Sequence, residues 1–81
     1  MSVKVFNIQR GFEQDFVRLL MNKFPLASYS VNNKEPHDTV LKLLKSEDAQ
    51  NVATYINTNI THIRGQLVRL TAEVVSFFEF S

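Results

Sequence analysis

Cysteine is absent from this chain of 81 residues, so it can form neither a disulfide framework nor a thiolate metal site. That composition fits an intracellular protein, in nucleus or cytoplasm alike. Glycine and proline are scarce, two of each, and 44% of the residues are hydrophobic. Together these argue for a folded chain with one core, a single domain over residues 1–81. No window approaches the run of uncharged apolar residues that a membrane-spanning helix needs, so no membrane partner is expected. The N-terminus lacks the basic-then-apolar pattern of a secretory signal. Neither sign of charge predominates: a net charge of +1 excludes a nucleic-acid binder that works by bulk charge alone, and leaves room for a local basic patch only. Chemistry-bearing motifs are equally sparse. There is no Gly-rich phosphate loop, no Ser in a nucleophile elbow and no paired carboxylates. His37 and His62 lie far apart with no ligand spacing. The sequence therefore predicts no enzyme, no cofactor and no metal site.

What is present is periodicity. Residues 3–8 (VKVFNI) alternate and are rich in β-formers, which predicts a first strand with Val3 and Val5 on one face and Lys4 and Phe6 on the other. Gly11 opens a helix whose acidic start (Glu13, Asp15) suits the positive end of the dipole. Phe12, Phe16, Leu19, Leu20 and Phe24 form its apolar side, and Pro25 stops it. Residues 27–31 (ASYSV) form a second strand, with Ala27, Tyr29 and Val31 together. A turn-rich loop follows over residues 32–36.

The organising stretch is residues 39–70. It reads as a third strand, a helix capped by Ser46 with Glu47 and Asp48 in its first turn, a short connection closed by Gly65, and a fourth strand starting near Leu67. Ala49, Val52, Ala53 and Ile56 supply the second helix's buried side. Ile60, Ile63, Leu67, Leu70, Val74 and Phe77 also fit one long helix to the C-terminus. Asn57, Thr58, Asn59, Thr61 and Gly65 oppose that, so the helix is expected to end near Asn57. The order is βαββαβ, an α+β chain. Right-handed crossovers then imply a ferredoxin-like sandwich: a four-stranded antiparallel sheet of order 4-1-3-2 with two helices on one face.

Over residues 2–72 the chain resembles the RNA recognition motif family. The match is carried by VLKLLKSEDAQNVATYIN followed by IRGQLVRL, and by the first-strand hexamer VKVFNI with Asn7 before an aliphatic residue. The resemblance implies RNA binding on the open sheet face in a ribonucleoprotein or RNA-processing context. Members of the family stack bases on aromatics at three positions. Here those positions hold Lys4, Asp38 and Val40, and the octamer's basic-glycine opening falls on Pro36 and His37. Since each stacked base contributes about 1–3 kcal/mol, the expected affinity is weak and salt-sensitive. It would be carried by Lys4, Phe6, Lys42 and Arg69. The alternatives are a protein-interaction module on the same fold and a small stand-alone inhibitor or adaptor. Residues 74–81 form an apolar extension in which Phe77, Phe78 and Phe80 are candidate contacts, to a protein partner or to a second copy in a homo-oligomer.

Overall fold

The alternating SVKVF segment does form a strand, β1 (Ser2–Phe6), with Val3 and Val5 fully buried and Lys4 and Phe6 half-buried on the other side. A computed structural model describes residues 2–32 and 38–75, and it is α+β throughout. Helix α1 spans Glu13–Met21, β2 Leu26–Asn32, β3 Asp38–Leu43, α2 Ala49–Asn59, β4 His62–Ile63, β5 Gln66–Leu67 and β6 Thr71–Val75.

Four of the strands make one antiparallel sheet in the order β2-β3-β1-β6. Its register puts Val3 beside Leu41 and Val74, and Val5 beside Thr39 and Ala72. Because side chains alternate across a strand, these residues share one face. Phe16 and Leu20 of α1 and Val52 and Ile56 of α2 join Val3, Val5, Leu41, Leu43 and Ala72 in a single buried cluster, so both helices cover that face. Tyr29, Val68 and Leu70 are only half-buried at its margin.

The helix ends differ from the sequence reading for local reasons. Glu13 reaches back so that the Gly11 amide donates to its Oε1 at 2.9 Å, tying the acidic first turn to the preceding loop. Helix α1 stops at Met21, not at Pro25. The amides of Lys23 and Phe24 both donate to the Leu20 carbonyl, at 3.0 and 2.9 Å, closing a turn before the proline. Ser46 does not cap α2 with its side chain. Residues Ser46–Asp48 form a 3₁₀ turn that leads into the helix instead.

Helix α2 also runs two residues beyond Asn57, and that asparagine is no terminator. Its Nδ2 donates to the Ala72 carbonyl at 3.0 Å, and the Ala72 amide donates to its Oδ1 at 2.9 Å. One side-chain amide thus satisfies both outward backbone groups of a residue on the edge strand β6, where a further strand would otherwise pair.

The expected fourth strand begins later than Leu67. Residues 62–67 close on themselves as a hairpin, pairing His62 with Leu67 and Ile63 with Gln66 around the two residues Arg64 and Gly65. Both of these have positive φ, 54° and 76°, the requirement of the type I′ turn that suits a two-residue hairpin. Ile63 drops fully buried into the core, and Leu67 is left 68% exposed. In β2 a register irregularity between Leu26 and Ser28 leaves Ala27 exposed, so it does not share a buried face with Tyr29 and Val31.

Candidate binding surfaces

The sheet face turned away from the helices is the surface on which the sequence places its RNA-binding residues. Three rows cross it. Val75, Ser2, Lys42 and Ser28 form one, and Glu73, Lys4, Val40 and Ser30 the next. Thr71, Phe6, Asp38 and Asn32 form the third. Lys4, Phe6 and Lys42 therefore share this face. Arg69 does not belong to the sheet, because β6 starts at Thr71. It is exposed in the segment before that strand, and its carbonyl accepts a hydrogen bond from Asn7 Nδ2 at 3.2 Å. Asn7 itself takes a left-handed φ of 76°, a conformation asparagine tolerates better than most residues.

The charges on this face compensate one another. Lys4 Nζ lies 3.8 Å from Asp38 Oδ2, and the Asp38 side chain is only 8% exposed. On its other side Lys4 stands directly across from Glu73 of β6. Val40, in the middle row, is buried yet lies outside the cluster shared with the helices. Phe77, Phe78 and Phe80, the candidate partner contacts, lie outside the described residues, as does His37.

A second surface is made of three recesses along the helices, and the sequence reading missed it. Asp15, Arg18, Leu19 and Asn22 of α1 are spaced i, i+3, i+4, i+7 and line one recess of about 290 Å³ with Arg64 from the hairpin. Asn51, Thr54, Tyr55 and Thr58 of α2 have the same spacing and line another of about 390 Å³ with Lys23 and Phe24. Leu19 from the first and Tyr55 from the second also line a third recess of about 190 Å³, with Asn59, Ile60, Thr61 and His62, so the three lie next to one another as a trough. Leu19, expected on the apolar side of α1, is 43% exposed. The signal against burial was its company, since Asp15, Arg18 and Asn22 are its neighbours on the helix surface.

Aromatic contacts line both ends of this trough. The Phe24 and Tyr55 rings meet edge to face with centroids 5.7 Å apart, and Lys23 Nζ sits 5.2 Å from the Tyr55 centroid. At the other end the Arg64 guanidinium lies 5.0 Å from the Phe12 centroid, with its Nε 3.8 Å from Asp15 Oδ2.

Among the described residues no group of three His, Asp or Glu side chains is placed to hold a metal ion, and no helix is long and apolar enough to cross a membrane. No protein-family description, curated protein or solved structure matches the chain.

Proposed function

We propose that this chain is a protein-interaction module on a ferredoxin-like βαββαβ scaffold. The sheet order β2-β3-β1-β6 with both helices on one face supports that description of the scaffold. One observation carries the functional reading: the cation at the heart of the sheet face, Lys4, is held by the Asp38 carboxylate and faces Glu73. A phosphate arriving there must displace one carboxylate and approach another, and none of Lys4, Asp38 and Val40 offers a ring for a base to stack on.

Weak RNA binding by an RNA-recognition-motif-like domain is the second reading. It is favoured by the half-exposed Phe6 lying on the same face as Lys4 and the exposed Lys42. Titration of the full chain with mixed-sequence RNA oligomers at low and physiological salt separates the two. The interaction-module reading expects no saturable binding at physiological salt. Saturable RNA binding that is lost when Lys4, Lys42 and Arg69 are together changed to Ala would overturn it.

A further inference from the structure

We propose that the trough between α1 and α2 docks an acidic amphipathic helix of a protein partner. Its apolar side chains would rest on Leu19 and Tyr55, and its carboxylates would meet Arg18 and Lys23. The proposal rests on the interaction-module reading above and names the surface and the chemistry of the partner.

The sign of the trough decides the partner's charge. Helix α2, AQNVATYINTN, contributes no charged residue. The charge therefore comes from α1, the residues after it, and the hairpin: Arg18, Lys23 and Arg64 against Asp15 alone. Asp15 already lies 3.8 Å from Arg64, whereas Arg18 is exposed and makes no ion pair among the described residues. The surplus is positive at both ends of a centre where Leu19, Tyr55 and Ile60 stand among Asn59, Thr61 and His62. Lys23 is held over the Tyr55 ring, so its ammonium is positioned before any partner arrives.

The shape decides the partner's form. Two helices side by side, each presenting an i, i+3, i+4, i+7 stripe, leave a groove into which the ridge of a third helix packs. From Asp15 to Asn22 the α1 wall is roughly 10 Å long at 1.5 Å per residue, enough for about two turns of that helix. Leu19 supplies an exposed aliphatic floor and Tyr55 a half-buried aromatic one. Asn51 carries an amide at the rim, while the hydroxyls beside it are bonded within α2: Thr54 Oγ1 accepts from Gln50 Nε2 at 3.4 Å and Thr58 Oγ1 donates to the Thr54 carbonyl at 2.7 Å. An acidic helix matches each of these features, and a basic one would set its cations against Arg18 and Lys23.

The test uses two fluorescein-labelled amphipathic peptides of about fourteen residues, long enough to be helical when docked. One has Leu on one stripe and Glu elsewhere; the other has Lys in place of every Glu. Titrated with the full ¹⁵N-labelled chain, the Glu peptide should bind saturably and shift amides of the two stripes. The Lys peptide should bind about tenfold or more weakly. Combining Arg18→Glu with Lys23→Glu should reverse the preference, and Leu19→Ala should weaken the Glu peptide severalfold. These side chains are exposed, and an unchanged circular dichroism spectrum confirms that the variants fold.

No saturable binding of the Glu peptide, or equal binding of both peptides, overturns the proposal. If the Glu peptide instead shifts amides on the Lys4 face, the trough is wrong but the interaction-module reading stands. RNA binding at physiological salt that depends on Lys4, Lys42 and Arg69 would remove that reading itself.

Discussion

Replacing Thr39 with Val should make this protein more stable. Thr39 is fully buried on the helix-covered face of β3, between Val5 of β1 and Val31 of β2, and its Oγ1 has no hydrogen-bond partner among the described residues. A buried hydroxyl without a partner costs about 1–3 kcal/mol, because water is given up and nothing replaces it. Valine has nearly the same shape and is an equally good strand residue, so the exchange removes the cost without opening a cavity. Val5 and Val31, its cross-strand neighbours, give the new methyl an apolar setting. The expected gain is about 1 kcal/mol at least, which in a domain of this size raises the melting temperature by roughly 4–8 °C per kcal/mol. Urea unfolding followed by circular dichroism measures it, with an unchanged m-value marking a true change in stability. Thr39→Ser is the control: it keeps the hydroxyl and deletes the methyl, and it should destabilise. A loss of stability in Thr39→Val would refute the reasoning, since it would mean that the hydroxyl is bonded in the folded protein.

Asn57→Ala should cost about 1–3 kcal/mol by stripping both hydrogen bonds from Ala72, and an unchanged unfolding midpoint would show that the clamp on β6 is idle. Deleting residues 74–81 should lower the melting temperature, because Val74 and Val75 pair with Val3 and Ser2. Deleting only residues 76–81 isolates the contribution of Phe77, Phe78 and Phe80. Equal melting temperature and apparent mass for that shorter deletion would show that these rings neither cover the domain nor join two copies.

The elements of the sheet were legible where one signal dominated. In Ser2–Phe6 the alternation of Val3 and Val5 with Lys4 and Phe6 follows burial against the helices, and burial of that kind writes directly into sequence; Leu41 and Leu43 do the same in Asp38–Leu43, where Asp38 and Val40 on the opposite face are buried as well. In α2, Val52, Ala53 and Ile56 do the same at helical spacing. The reading failed where backbone conformation and side-chain hydrogen bonds decided the outcome. Asn57 resembles a helix breaker by propensity, and only its distance to Ala72 reveals the clamp. Arg64 gives no hint of positive φ, so the hairpin that shortens the last strand and leaves Arg69 outside the sheet went unseen.

The candidate surfaces divide along the same line. The sharing of one face by Lys4, Phe6 and Lys42 follows from counting residues along paired strands. The pairing of Lys4 with Asp38 needed the register between two strands distant in sequence. The trough needed the packing of two helices, since neither stripe is apolar enough to stand out alone. Leu19 and Tyr55 become a joint floor only when α1 and α2 lie side by side.

One nuclear magnetic resonance sample weighs the central claim against its rival. The full ¹⁵N-labelled chain is titrated at physiological salt, first with mixed-sequence RNA and then with the Glu peptide. The account predicts amide shifts for Arg18, Leu19, Lys23 and Tyr55 on adding peptide, and none that saturate on adding RNA. Saturating RNA shifts centred on Lys4, Phe6 and Lys42, with the peptide inert, would contradict it.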